Sequence, residues 1–474
     1  MRFLLNGEWV DREKKIGVKD PYDNHLIDTV PEGTKEDVEI AIRSAQEGFK
    51  EISSLTVYER AQILYKTSQI VKENLEEFAK TIALEGSKTI KEARKEANRC
   101  TNTLIVSAEE SKRILGETIP FDSFPGGEKR IGYYYRFPIG IVLAITPFND
   151  PLNLVAHKLG PAFAAGNAVI LKPATVTPLS ALKLGEAFLK AGLPPKALNI
   201  LTGYGAVIGD LLVKDERIRM ISFTGGIEAG KRIASIAGIK KIGMELGSNS
   251  PVIVLKDCDL GLAVESCVSG AFWACGQNCI GVQRIYIEKE IYDEFKEKFV
   301  ERTKKYKVGP KLEEDCDMGP MITEGEAKRV EKWIEEAKEK GAKVLCGGKR
   351  EGAIVYPTVL ENVSEDAKIH KEEVFGPTVN LYPIKDLNEG IEKANSLPFG
   401  LHTAIFTNDL NLALKAAYKL DCGGVMINDS TDYRLDSMPF GGVKYSGLGR
   451  EGIKFSLQEM TEPKVISFYL PNFR

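Results

Sequence analysis

The sequence is poor in the residues that build metal centres and disulfide frameworks. It has four histidines and eight cysteines in 474 residues. The cysteines fall at 100, 258, 267, 275, 279, 316, 346 and 422. Cys275 and Cys279 lie close together, but no further ligand follows them at zinc or iron–sulfur spacing, so no metal site is expected. A thin scatter of thiols over a long chain also lacks the density of a disulfide-stapled domain. No apolar run approaches the roughly 18 residues that a membrane span needs. Met1-Arg2-Phe3-Leu4-Leu5-Asn6-Gly7-Glu8 breaks its apolar stretch too early for a secretory signal. A net charge of −3 gives no strong field of one sign, so neither nucleic acid nor a membrane is expected as a partner. The reading is a cytoplasmic protein. Six glutamines against 64 Lys and Arg and 67 Asp and Glu give a thermophile-like bias.

What is present is a rhythm. The chain is too long for one ordinary core, so two or three domains are expected. Short apolar, β-branched runs at 140–145, 168–171, 197–201, 218–223 and 241–246 read as buried strands. Between them, 152–165, 178–191, 206–213 and 227–236 read as amphipathic helices. That alternation predicts a parallel sheet covered on both faces, a doubly wound α/β domain. It restarts after 250, with a strand at 252–255, a helix at 260–272, a loop carrying Cys279, a strand at 284–287 and helices at 292–305 and 324–340. Strand–helix units then recur to 427. The first 115 residues read as helix-rich, with the charged run 74–95 as a solvated face. Residues 121–135 and 465–474 read as edge strands, which a partner subunit would cover. A homodimer or homotetramer is therefore expected.

Several loops carry chemistry-bearing residues. Cys279 lies in Gly276-Gln277-Asn278-Cys279, and Glu245 ends an apolar strand. A thiol nucleophile and a carboxylate base are the minimum for covalent acyl chemistry. Lys172 follows a predicted strand, where ligands bind in doubly wound sheets. Phe223-Thr224-Gly225-Gly226 opens a helix, and its glycines let backbone approach a pyrophosphate. Asn149, in Thr146-Pro147-Phe148-Asn149-Asp150-Pro151, offers an amide to an oxyanion, or is an Asn turn before proline. Glu373 and Phe375 sit in Glu373-Val374-Phe375-Gly376-Pro377, and a glycine-rich loop spans 439–450. Singly, each of these also reads as an ordinary loop.

Together, in this order and spacing, they resemble the aldehyde dehydrogenase superfamily over nearly the whole chain. The resemblance implies two doubly wound α/β domains, cofactor-binding and catalytic, with a small β oligomerisation element. The cofactor domain would comprise 1–115 and 139–247, the catalytic domain 248–445, and the oligomerisation strands 116–138 and 461–474. It implies that Cys279 attacks the aldehyde carbon, that Asn149 and the Cys279 backbone N–H hold the resulting alkoxide, and that Glu245 activates the water that hydrolyses the thioester. A retained Glu245 favours a free carboxylate over a coenzyme A product. Contacts to NAD or NADP would come from Thr146, Phe148, Lys172, Thr175, Gly205 and Phe223. Further contacts would come from Thr224, Gly225, Gly226, Leu246, Gly247, Glu373 and Phe375. Lys172 and Glu373 would hold ribose hydroxyls, and Phe375 would pack by the nicotinamide. Many NAD-preferring relatives have Glu where this chain has Thr175, so NADP is expected to be accepted and is a candidate for the preferred form. Gly226 replaces a more usual Ser, leaving the pyrophosphate a backbone contact. Ser248-Asn249 replaces a commoner Gly-Lys, without an evident consequence. Positions lining the aldehyde site map to Asn153, His157, Asn278, Ile280, Asp432, Tyr433, Arg434 and Phe440. This polar set suggests a small hydroxylated or anionic aldehyde. Residues 428–434 resemble the lactaldehyde and non-phosphorylating glyceraldehyde-3-phosphate branch, and lactaldehyde is the expected substrate. Glyceraldehyde 3-phosphate and succinate semialdehyde stand as alternatives, and a nucleotide-binding protein without catalysis or a thiol hydrolase as readings of another class.

Overall fold

The computed structural model describes residues 1–472. Four helices, Lys35–Ser54, Val57–Glu73, Leu75–Glu85 and Ile90–Ser111, dominate the N-terminal part. Thr34, Thr56 and Thr89 each close a capping box with an acidic residue three positions on, satisfying otherwise orphaned N–H groups. The strands Phe3–Leu5, Glu8–Val10, Lys15–Lys19 and Leu26–Pro31 precede these helices. Lys15–Lys19 alternates buried Ile16 and Val18 with exposed neighbours, but the other three show no such clean alternation.

The first large sheet runs, in spatial order, Glu8–Val10, Phe3–Leu5, Leu198–Ile200, Ala168–Lys172, Ile141–Ile145, Ile218–Thr224, Lys241–Glu245 and Gly447–Leu448. Its five central strands are parallel and the flanking ones antiparallel. Strand order reverses at Ile141–Ile145, which has the next strand in sequence on one side and Ile218–Thr224 on the other. That reversal opens a crevice beyond the carboxyl ends.

The second sheet has the order Lys343–Cys346, Thr358–Glu361, Thr378–Ile384, Val282–Glu288, Ser250–Val254, His402–Phe406, Gly424–Ile427. Each sheet has its own buried apolar core. The expected α/β class, with two large sheets and a small third, is the observed one.

Two expectations change. The edge strands at 121–135 and 465–474 are instead Arg130–Pro138 and Thr461–Tyr469, and they pair with each other from Thr461 opposite Pro138 to Tyr469 opposite Arg130. Phe121–Ser123 is a short helical turn, and residues 473–474 of the second segment lie outside the described residues. The run 74–95 is not wholly a solvated face. Glu85, Lys88 and Glu92 are buried, because the chain breaks between two helices at Gly86–Lys88 and turns these side chains inward.

Candidate active site

Four neighbouring strands of the first sheet deliver candidate residues to one crevice. Ile141–Ile145 leads to Thr146 and Asn149, and Ala168–Lys172 ends in Lys172. Ile218–Thr224 runs into Gly225-Gly226 and the helix Ile227–Ile236, while Lys241–Glu245 ends in Glu245. Loops leading into two strands of the second sheet, Val282–Glu288 and Thr378–Ile384, hold Cys279 and Glu373.

On one side lies a cleft of about 790 Å³, lined by Gly226, Ile227 and Lys231 from the first domain and by Glu373, Phe399 and Tyr445 from elsewhere. Of the expected cofactor contacts Gly226 and Glu373 line it, and the polar groups at the neighbouring strand ends fit a dinucleotide. Lys172 is buried and its ammonium donates to one acceptor, the Pro173 carbonyl at 3.2 Å. Burial without a counter-charge lowers its pKa to about 8. The hydroxyls of Thr146 and Thr224 are buried without partners. A Cβ at Gly226 would meet open space, so no protein neighbour demands glycine there, at the start of a helix suited to an anion. Gly205 begins the wide turn Gly205–Gly209 and is equally open. Gly225 donates its N–H to the Glu245 carbonyl at 3.0 Å, and Leu246 donates to Ser446 at 3.0 Å. A Cβ at Gly225 would press on the Phe223 ring, and one at Gly247 on the Glu373 carboxylate. Glu373 accepts the Ser248 N–H at 2.8 Å, and burial raises its pKa to about 7. Phe375, at φ +45°, meets Phe148 edge-on with centroids 5.7 Å apart. The Thr175 hydroxyl donates to the Gly203 carbonyl at 3.0 Å. Its proton is therefore engaged within the protein, and the position carries no negative charge.

On the other side a cavity of about 370 Å³ is lined by Cys279, Asn149, Asn278, Ile280, Asp432, Tyr433, Arg434 and Phe440. Cys279 is half-buried and packs beside Ile280, Leu401 and Phe440. Burial raises its pKa to about 12; Arg434 opposes this, and Glu373, Glu245 and Glu451 add to it. Glu245 is buried with one carboxylate oxygen unpartnered. Burial and the nearby Glu451 push its pKa well above the usual range, favouring its protonated form relative to a solvated carboxylate. For Glu451 burial acts upward, but Lys158 and Arg434 outweigh it and hold the group at about 2. Lys158 donates to Glu451 at 2.9 Å and to Ser222 at 3.0 Å. Arg434 pairs with Glu451, not with the nearby Asp432 or Asp436, and its guanidinium lies 3.7 Å from the Phe440 ring centroid.

Asn153 and His157 do not line this cavity. Both are buried beneath its wall, where Asn153 accepts from Thr103 at 2.8 Å and His157 meets Asp436 at 3.0 Å. The helix Asn153–Ala165 is buried along its whole length, and of its side chains Leu154 lines the cavity. The sequence reading missed three cations on the wall: Lys88, Lys95 and Arg99. Lys88 is neutralised by Glu96, at 2.7 Å, and by Asp150. Lys95 stands over the Trp273 ring at 4.9 Å, and Arg99 reaches Asp436 at 4.0 Å. Lys95 and Arg99 are four apart and so share a helix face, the one signal that could have set them apart from solvated charge.

The aldehyde dehydrogenase family profile matches residues 9–466. The chain belongs to this family and is an NAD(P)-dependent aldehyde-oxidising enzyme. It is 49% identical to aspartate-semialdehyde dehydrogenase 1 of Pseudomonas canavaninivorans, over 96% of each chain. It is 44% identical to a lactaldehyde dehydrogenase of Methanococcus aeolicus, over 98% of this chain and 99% of that one. Among solved structures it is similar to aldehyde dehydrogenase 21 from Physcomitrella patens in complex with its product succinate, with a TM-score of 0.97, 42% identity and coverage of 100% and 99%. It is also similar to a glyceraldehyde-3-phosphate dehydrogenase from Methanocaldococcus jannaschii complexed with NADP, with a TM-score of 0.93, 42% identity and coverage of 97% and 100%.

Proposed function

We propose that this enzyme oxidises a short aldehyde bearing an anionic group to the free carboxylate. The observation that carries this reading is that Lys95, Arg99 and Arg434 all line the cavity beside Cys279, outnumbering the carboxylates Asp429 and Asp432 once Lys88 and Asp150 are paired with each other. Arg434 is buried with its Nε unpartnered, and a buried donor of that kind is costly unless something accepts from it. A carboxylate or phosphate on the substrate would do so. The relatives support the class, since aspartate semialdehyde, the product succinate and glyceraldehyde 3-phosphate each carry a carboxylate or phosphate group.

In this reading Cys279 adds to the carbonyl carbon, and Asn149 with the Cys279 N–H holds the alkoxide. The bound oxidised nicotinamide supplies the hydride acceptor. Lys172 and Glu373 hold ribose hydroxyls, and Phe375, braced by Phe148, walls the nicotinamide side. Glu245 then takes a proton from the water that attacks the thioester, and the Lys158–Glu451 pair stabilises its charge change. Residues 1–115 and 139–247 form the cofactor domain and 248–445 the catalytic one. The strands within 116–138 and 461–474 join copies of the chain through exposed Ile131, Tyr135, Val465 and Phe468. NADP is accepted, because no carboxylate stands at Thr175.

Lactaldehyde, the expectation from sequence, remains the second reading, favoured by the relative from Methanococcus aeolicus. Steady-state rates with aspartate semialdehyde, succinate semialdehyde, glyceraldehyde 3-phosphate and lactaldehyde, each with NAD and NADP, decide between them. The highest kcat/KM on an anionic aldehyde is expected. A clear preference for lactaldehyde would overturn the anionic reading.

A further inference from the structure

Cys279 follows an unusual piece of backbone. Ala274, Cys275 and Gly276 have φ of +50°, +58° and +66°, a left-handed turn that L-residues rarely adopt unless their surroundings hold them there. Cys279 lies three residues further on, in a turn that leads into the strand Val282–Glu288. Two side chains grip this turn. Gln277 donates to the Ala274 carbonyl at 3.1 Å and accepts the Ile322 N–H at 2.9 Å. The second grip comes from far away in sequence. Glu92, buried in the first turn of the helix Ile90–Ser111, accepts the Ala274 N–H at 2.8 Å through Oε1. Its other oxygen accepts the Thr89 N–H at 2.9 Å and the Thr89 hydroxyl at 3.2 Å. One carboxylate thus caps the helix and bolts the turn before Cys279 to it. The same helix carries Lys95 and Arg99 to the cavity wall.

We propose that Glu92 is a positioning residue that fixes the Cys279 loop against the substrate-reading helix. This rests on Cys279 being the nucleophile. An ordinary capping role does not account for the arrangement. Asp37 closes the capping box of Lys35–Ser54 with one fewer methylene, and Glu59 closes that of Val57–Glu73 through one oxygen, so a cap needs neither the full length of a glutamate nor its second oxygen. The extra reach of Glu92 is what lets its second oxygen meet Ala274.

Glu92→Asp in the full-length enzyme isolates the two roles, because aspartate can keep the cap and is too short to hold Ala274 as well. The expected result is a Tm close to wild type, an unchanged Kd for NADPH, a kcat reduced 10- to 100-fold, and a comparably slower alkylation of Cys279 by iodoacetamide, read by peptide mass. Glu92→Gln, which keeps the length but sets an amide N–H₂ against one of the two donors, is the second variant should Glu92→Asp fail to fold, with the same expectation. Values of kcat and alkylation rate within twofold of wild type overturn the proposal. So does a loss of kcat accompanied by collapse of Tm and of NADPH binding, which would assign Glu92 to fold stability. Cys279→Ala separates the two readings: if it retains turnover, the nucleophile assignment fails on its own, independently of Glu92.

Discussion

Arg434 donates to Glu451 across 3.2 Å, so one guanidinium joins the wall of the aldehyde cavity to the buried carboxylate that raises the pKa of Glu245. Arg434 also opposes the burial that raises the pKa of Cys279. In the proposed reaction a residue so placed would read the substrate and tune both reacting groups.

Replacing Arg434 with glutamine should therefore have two effects. Loss of a charge-assisted hydrogen bond, about 1.5–3 kcal/mol, should lower kcat/KM for an anionic aldehyde roughly 10- to 150-fold, with a smaller loss on a neutral aldehyde of equal length. Removing the cation should also move the rising limb of the pH–rate profile to higher pH, since the Cys279 thiolate loses its favourable partner. Equal losses on both aldehydes would show that Arg434 does not face the substrate tail.

Glu373 gives a test of the cofactor side. Burial lifts its pKa to about 7, so it gains a proton as pH falls through that value and becomes a poorer acceptor for ribose hydroxyls. The KM for NADP should rise as pH drops from 8 to 6, and Glu373→Gln should remove that dependence while raising KM throughout. Steady-state kinetics across pH would measure it, and a pH-dependent KM that survives in the variant would assign the titration to another group.

The strands and helices between residues 140 and 246 were legible because parallel strands buried on both faces make near-continuous apolar runs. Ile227–Ile236 and Leu260–Phe272 begin and end where the sequence places them. Candidate site residues at strand ends could be found for the same reason: a polar residue at the end of an apolar run is locally conspicuous. Lys95, Arg99 and Glu92 were not, because in a helix dense with Lys and Glu nothing local distinguishes a charge turned toward solvent from one turned toward another domain. That distinction is made by packing across nearly two hundred residues of chain, as the Glu92–Ala274 contact illustrates. His157 misled in the opposite sense, being a polar residue whose partner, Asp436, lies beneath the cavity rather than within it.

Asn149 lines the cavity with Cys279, and its amide is assigned to the alkoxide. Asn149→Ala should lower kcat about 10²- to 10³-fold. The Kd for NADPH, measured by fluorescence titration, should stay within about twofold. A variant that weakens KM and leaves kcat intact would place the side chain in ground-state binding only.

Thr175 tests the choice between cofactors. Its hydroxyl is already committed to the Gly203 carbonyl at 3.0 Å, so tolerance of a 2′-phosphate rests on the absence of negative charge rather than on a new hydrogen bond. Thr175→Glu would set a carboxylate against that phosphate, and like charges a few ångströms apart near a protein surface repel by a few kcal/mol. The kcat/KM for NADP should fall roughly 100-fold, while that for NAD changes little or improves through a hydrogen bond to the 2′-hydroxyl. Thr175→Val, which removes the hydroxyl and adds no charge, should leave the NADP/NAD ratio near that of wild type. A large fall in NADP use by the valine variant would mean that the hydroxyl, not the missing charge, sets the preference.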